Sequence, residues 1–459
     1  MSPLRAETRL FLRSGRNLFA VILLLVLASA AVWSGLAQVD AQRTTIERVE
    51  REQARDLASV EAAQAGPEGD AGYNAYYAFM LTQDPPPALA FAAIGQRDLQ
   101  PFVLRVRALG LEAQRYDSEN YNAELALPGV FDWAFVLVYL APLVIIALAH
   151  DMVTGEREAG RLRLLLSLPG SGLWRRRIGL RYVLVLAALA APLMTGSVIA
   201  GAPATGTAGI ILAGALYCAF WFGLALLIGA ALRASATAAA AMIGCWIVLT
   251  LVIPTLGNTV IAGAIPAGKG IDLTLAQREA VHKGWDIPKE ETFEPFFVNH
   301  PEWRGKEKFE GRFHWKWYYA MHQVGDETVE QEVADYRGAL AARDKWTSRL
   351  GLILPGVGTM NVVHRLADTD STAGFAYQDS IAAYHERLRK FYYPYMFNDK
   401  AFTRADFAQI PRYTSRVPGG SIPAGSLVAL LLAAALFLWL GARKVTRVSS
   451  AQDSRPKDD

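Results

Sequence analysis

Six long runs of apolar residues alternate with polar segments along the chain. They occupy residues 18–37, 131–150, 182–201, 209–232, 237–262 and 421–442. Each is close to the ~20 residues that a helix needs to cross ~30 Å of hydrocarbon. The first run lacks a clear small-residue cleavage site and precedes a charged helical stretch, so we interpret it as a retained anchor. The pattern predicts an all-α polytopic membrane protein with six transmembrane helices.

Two long polar segments, residues 38–130 and 263–420, interrupt this series of spans. Helical spacing of apolar residues from Ile46 to Val60 predicts that the first span continues as a helix to Gly66-Pro67. In the later segment, similar patterns predict helices around 328–350 and 377–391, with a break at 355–358. Neither segment shows a self-contained pattern. We therefore expect one mainly helical extracytoplasmic domain built from both insertions.

The basic residues near the spans predict the topology. They are Arg5, Arg9, Arg13 and Arg16 before the first span, Arg157, Arg161, Arg163, Arg175, Arg176, Arg177 and Arg181 between the second and third, Arg233 between the fourth and fifth, and Arg443, Lys444 and Arg447 after the sixth. Lysine and arginine concentrate in cytoplasmic loops. Both termini, the loop 151–181 and the tail 443–459 are therefore predicted to be cytoplasmic. Residues 1–17 suit an amphipathic helix on the membrane surface, although a basic flank that only orients the first span fits equally well.

Composition supports a membrane protein with substantial soluble parts. Hydrophobic residues make up 52% of the 459 residues, and the mean hydropathy is +0.19. The net charge of +3 gives no support for a nucleic-acid partner, and none is expected. Both cysteines, Cys218 and Cys245, lie in apolar runs, which excludes a disulfide framework in the polar segments.

Candidate catalytic and nucleotide-binding motifs are weak. The run 263–270 is close to a P-loop, but Gly270 stands where the magnesium-binding hydroxyl is required, and the run lies on the predicted outer side. The seven histidines include no HExxH pair, and no GxSxG motif occurs. The predicted spans carry Asp or Glu only at their rims, which disfavours ion-coupled transport. Any work on a substrate is therefore expected to draw energy from another polypeptide.

The loop 151–181 contains the most specific motif of the chain. It reads Gly155-Glu156-Arg157-Glu158-Ala159-Gly160-Arg161-Leu162 and continues through Leu164 and Leu165 to Leu168-Pro169. The run after Gly160 predicts a short helix with an apolar side, which ends at the Pro169-Gly170 pair. We interpret it as a docking helix for a partner protein. A plain basic loop that serves only topology is the alternative.

This motif resembles the cytoplasmic segment between spans two and three of ABC-2 type permeases, the membrane subunits of ABC transporters. The resemblance implies a coupling helix that docks on a separate ABC ATPase, with Glu156, Arg157 and Glu158 as polar contacts and Leu162, Leu164 and Leu165 as the apolar face. Residues 366–370, Phe375, Tyr384 and 391–394 resemble a subgroup with a large extracytoplasmic insertion between the last two spans. That subgroup more often has Gly where Asp368 stands.

The expected function is that of the permease subunit of an ATP-driven ABC-2 type exporter in a bacterial inner membrane. The resemblance implies that ATP and Mg are bound by the partner ATPase and that the chain needs no cofactor of its own. It also implies a homodimer or a pair with a similar permease. The alternative is a non-transporting mechanical or sensory module that acts on an envelope partner. The uncharged spans slightly favour a hydrophobic or amphipathic substrate.

Overall fold

The computed structural model describes residues 3–64, 69–115, 130–167, 172–268 and 270–453. These residues are largely helical, with one two-stranded antiparallel sheet. The strands are β1 (Met80–Gln83) and β2 (Val103–Val106). The helices are α1 (Pro3–Arg13), α2 (Gly15–Gln64), α3 (Ala71–Tyr77), α4 (Glu112–Arg115), α5 (Trp133–Glu158), α6 (Leu162–Ser167), α7 (Leu173–Ile199), α8 (Ala204–Ala231), α9 (Ser235–Ala264), α10 (Gly270–Lys283), α11 (Lys289–Asn299), α12 (Trp315–Thr328), α13 (Glu330–Gly351), α14 (Pro355–Ala367), α15 (Ser371–Phe397), α16 (Arg404–Phe407) and α17 (Ala424–Asp453).

Six of these helices are long and apolar enough to cross a membrane, which confirms the predicted number of spans among the described residues. They are α2, α5, α7, α8, α9 and α17, and we call them the helix bundle. Helix α7 begins at Leu173, before the apolar run, so its first turns carry the basic residues of the loop. Two spans contain a π-helical turn, at Val136–Leu140 and at Val248–Val252.

Helix α2 continues far beyond its apolar part. Its 50 residues correspond to a rod of about 75 Å, of which a membrane crossing uses less than half. The predicted helix end at Gly66-Pro67 lies outside the described residues. Three polar contacts fasten the later part of α2 to other segments: Asp56 with Arg105 at 2.5 Å, Glu61 with Arg404 at 2.7 Å and Glu50 with Gln83 at 2.8 Å.

The two polar segments share one hydrophobic core. We call residues 69–115 and 270–416 the insertion domain. Its core joins residues of the first segment, such as Met80 and Val106, to aromatic side chains of α11, α12 and α15. Buried phenylalanine and tyrosine rings dominate it, among them Phe296, Tyr319 and Tyr392. Each segment alone would leave this apolar surface in water, which explains why neither showed a self-contained pattern.

Two pieces of the insertions pack into the core of the helix bundle instead. Residues 89–94 are buried there, and a Cβ added to Gly35 of α2 would meet the Phe91 carbonyl oxygen at 1.9 Å. Only glycine permits this close approach. Helix α14 also contributes Val362 and Val363 to the same core. Parts of both insertions therefore contact the spans directly.

The predicted chain break at 355–358 is wrong in position. Pro355 opens α14 at a position where a missing N–H costs nothing, and Gly356 and Gly358 lie inside the helix. The chain turns at 352–354 instead. Gly358 is needed for packing, because an added Cβ would meet the Gly351 carbonyl oxygen at 2.3 Å.

Candidate functional site

The charged motif after the second span is attached to the corner between the fourth and fifth spans. Arg157 donates hydrogen bonds to the carbonyl oxygens of Leu232 and, at 3.3 Å, of Ala230, where α8 ends. Glu158 accepts from the Ser235 backbone N–H at 2.9 Å and from its hydroxyl at 2.6 Å, where α9 begins. A cation therefore meets a helix C-terminus and an anion meets a helix N-terminus, which is the favourable arrangement at both ends.

Glu156 connects the same motif to two other helices. Its carboxylate accepts from Arg177 of α7 at 2.8 Å and from Arg161 at 2.9 Å. Arg177 also pairs with Glu7 of α1 at 3.1 Å. The side chains of Glu156, Arg177 and Glu7 are 15%, 12% and 10% exposed, so water screens the pairs between them less than it would a surface pair. The motif thus joins α1, α5 and α7.

The motif contains two glycines, of which Gly160 forms the turn between α5 and α6. Gly160 has φ of +71°, a conformation that glycine adopts without strain, and its N–H bonds to the Arg157 carbonyl oxygen at 3.1 Å. Gly155 has more room, because an added Cβ would be 3.4 Å from the Cβ of Asp151, an ordinary contact distance. The chain turns at Gly160, and α6 begins at Leu162.

The three leucines predicted to form an apolar face differ in exposure. Leu162 is 3% exposed and belongs to the core of the helix bundle, whereas Leu164 is 67% exposed. Leu165 is half-buried. Leu168 and Pro169, the end of the predicted motif, lie outside the described residues. Of the three, Leu164 presents the largest accessible apolar surface.

The structure therefore brings the motif residues together, but in two roles. Glu156, Arg157, Glu158 and Leu162 make contacts within the chain, and Leu164 faces outward. The sequence analysis missed Ser235, which supplies the partner of Glu158. A serine directly before the apolar run of a span is a helix-start signal that would have suggested it.

A second polar cluster joins the helix bundle to the insertion domain. Arg416 contacts Asp84 at 2.8 Å and Asp368 at 2.7 Å, and Arg97 contacts Asp84 at 2.5 Å and Gln42 of α2 at 3.0 Å. The four charged side chains are between 6% and 11% exposed. Burial raises the pKa of Asp368, and the Arg416 guanidinium opposes that shift.

The conformation of Asp368 explains why glycine is more common at this position in the subgroup that the sequence resembles. It ends α14 with φ of +55° and ψ of +43°, the left-handed conformation that favours glycine after a helix. Asp is tolerated in this conformation better than most residues. Here its carboxylate also binds Arg416, a contact that glycine would lack.

His314 and His322, two histidines of α12 and its start, have separate roles. The imidazole of His314 accepts from the Lys316 backbone N–H at 3.2 Å at the start of α12. His322 accepts from the Gly110 N–H at 3.3 Å, and burial lowers its pKa to about 3. Within the described ranges, no group of three or more His, Cys, Asp or Glu side chains could hold a metal ion.

Comparison with known proteins gives one match. A profile of the family described as a domain of unknown function (DUF3526) matches residues 272–416. The match covers the second part of the insertion domain and includes none of the six apolar helices. No curated protein and no solved structure matches the chain.

Proposed function

We propose that the chain is the membrane-spanning permease subunit of an ATP-driven ABC-2 type exporter. One observation carries the proposal: the motif after the second span is bonded to three other spans while it presents Leu164 outward. A separate ABC ATPase, which binds ATP and Mg, would dock there. The chain would act as a homodimer or with a similar permease in a bacterial inner membrane.

The contacts of the motif define how a push on α6 would spread. Through Glu156 and Arg177 it reaches α1 and α7, and through Arg157 and Glu158 it reaches the corner between α8 and α9. Several spans would therefore move together. ATP-driven closure of two ATPases would then shift the bundle between inward-open and outward-open states.

Leu164→Asp is expected to weaken co-purification of the ATPase at least tenfold. Burying one leucine contributes about 1.5–3 kcal/mol, and a buried aspartate would add a desolvation cost. The measurement is the amount of ATPase recovered with the tagged permease, normalised to permease in the membrane. Leu162→Asp is unsuitable, because Leu162 is buried and its loss would damage the fold.

Leu275→Asp provides the matched control. Leu275 is 56% exposed on α10 in the insertion domain, far along the chain from the motif. It should leave ATPase recovery unchanged. Wild-type recovery with Leu164→Asp would remove the main support for docking at α6.

The proposed topology places α6 in the cytoplasm and the insertion domain outside. Val298→Cys is expected to react with a membrane-impermeant maleimide in intact spheroplasts, because Val298 is 76% exposed. Leu164→Cys should react only after lysis. The natural cysteines give little background, because Cys218 is buried and Cys245 is half-buried. Labelling of Leu164→Cys in intact spheroplasts would overturn the topology.

The rod formed by α2 favours a second candidate function, mechanical or sensory action on an envelope partner. A continuous helix fastened to the insertion domain would transmit motion without any solute crossing the bundle. This candidate shares the ATPase and the docking helix. It predicts that the distance between spin labels at Val298→Cys in the two copies changes with ATP. An unchanged distance would exclude it.

A further inference from the structure

An apolar groove lies at the end of the helix bundle where α7 begins, which carries the basic residues of the loop 151–181. Helices α7, α8 and α17 form its walls and enclose about 890 Å³. This volume is within the ~300–1,000 Å³ of small-molecule sites. Aromatic and aliphatic side chains line most of it, among them Tyr182, Phe222, Leu226 and Leu438. All three walls belong to candidate membrane-spanning helices, so the natural solvent of the groove is lipid.

One end of the groove is electrostatically unusual. Gly172, which precedes α7, lines the groove, and no side chain of the described residues caps the helix there. A Cβ built on Gly172 would lie 3.2 Å from Nη1 of Arg176 and 3.7 Å from Nη2 of Arg175. The N-terminus of a helix carries a partial positive charge, so two guanidinium groups beside it repel it. Neither arginine takes part in an ion pair within the described ranges, and the buried Nε of Arg176 has no hydrogen-bond acceptor there.

An unpartnered donor lies at the same place. The side chain of Trp174 lines the groove and is 8% exposed, and its Nε1–H has no hydrogen-bond acceptor among the described residues. Among the described residues that line the groove, Arg175 is the charged one and none is a carboxylate. A buried donor, two cations and an uncapped helix N-terminus all favour the same missing species, an anion.

We propose that this groove binds an anionic phospholipid of the membrane leaflet on the basic side. The phosphate lies at the N-terminus of α7 beside Arg175, and an acyl chain follows Tyr182 and Phe222 into the groove. The combination of an anion site with a continuous apolar path selects an amphipathic anion over free phosphate. This lipid site is separate from the residue proposed to dock the ATPase, because Leu164 does not line the groove.

Native mass spectrometry of the full-length chain in neutral detergent tests the site. The protein is incubated with equal amounts of phosphatidylglycerol and phosphatidylcholine that carry the same acyl chains. Wild-type protein is expected to retain phosphatidylglycerol about tenfold more than phosphatidylcholine, because the helix N-terminus and the arginines attract the net negative charge that only phosphatidylglycerol carries. Arg175→Glu should reduce this preference to parity. Arg175 is exposed, so its loss leaves the fold intact.

Two glycines allow a matched test of whether lipid binds in the groove or elsewhere on the helix bundle. Nothing lies within 4 Å of a Cβ built on Gly179, which lines the groove, or on Gly244 of α9, which does not. Gly179→Leu should fill the groove and reduce phosphatidylglycerol retention about tenfold, whereas Gly244→Leu should retain it as wild type does. Arg13→Glu makes the same change of net charge as Arg175→Glu but lies outside the groove, so it should retain phosphatidylglycerol as wild type does. Equal retention of both lipids by wild type, or wild-type retention by Gly179→Leu or Arg175→Glu, would overturn the proposal.

Discussion

Replacing Asp326 by alanine is expected to separate the two halves of the insertion domain. Its carboxylate accepts from the Leu111 N–H at 2.7 Å, from the Glu112 N–H at 3.3 Å and from Arg389 at 2.8 Å. The Asp326 and Arg389 side chains are 12% and 9% exposed. Asp326→Ala therefore leaves a buried guanidinium without its carboxylate, at a cost of about 3–5 kcal/mol.

The expected result is a melting temperature about 10 °C lower for the purified full-length chain. The loop 107–115 should also become accessible to trypsin at Arg107, because it loses its acceptor on α12. Asp379→Ala is the matched control. Asp379 pairs with Arg337 at 2.5 Å, but its side chain is 59% exposed, so the substitution should cost under ~1 kcal/mol. Equal effects of the two substitutions would show that Asp326 does not join the two segments.

Replacing Arg416 by alanine is expected to loosen the packing of the insertion domain on the helix bundle. Arg416 binds both Asp84 of the first segment and Asp368 at the end of α14, which packs on the spans. Without it, Asp84 keeps the guanidinium of Arg97, whereas the buried Asp368 loses its cationic partner. The loss of folding free energy is again about 3–5 kcal/mol, and it falls where the first polar segment meets the end of α14.

Asp368→Gly distinguishes this charge effect from a change in the turn. It also removes one contact of Arg416, but glycine gains about 1 kcal/mol in the left-handed conformation that Asp368 holds. We therefore expect Asp368→Gly to lower the melting temperature much less than Arg416→Ala. In the proposed assembly with an ABC ATPase, Arg416→Ala should also uncouple ATP hydrolysis from movement of the insertion domain. A smaller effect of Arg416→Ala than of Asp368→Gly would contradict this role for the cluster.

The apolar runs predicted the six long helices well, because a run of about 20 apolar residues satisfies its own backbone hydrogen bonds as a helix. The motif at 155–165 was also visible as a helix with charged residues before it. The sequence did not show which of its residues are buried within the chain and which face outward. Leu162 and Leu164 are chemically identical, and the direction in which each points depends on how α6 lies on α17 and α5.

Polar contacts between distant segments were the least predictable. Asp84 and Arg416 are 332 positions apart, and Glu158 and Ser235 are 77 positions apart. The sequence immediately around each of these residues resembles that around an ordinary polar residue at the surface. Only the fold shows that Asp84 and Arg416 are buried together and that Glu158 meets Ser235, so only the fold assigns these side chains a structural role.

The sequence alone determined that the chain has six apolar helices, two large polar insertions and a basic loop with a short helix, because these features depend on local periodicity and composition. The tertiary structure decided which residues of that loop face outward, that residues 89–94 enter the helix bundle, and that Arg175 and Arg176 converge on the uncapped start of α7. These features depend on packing between segments far apart in the chain, whose partners no local pattern records.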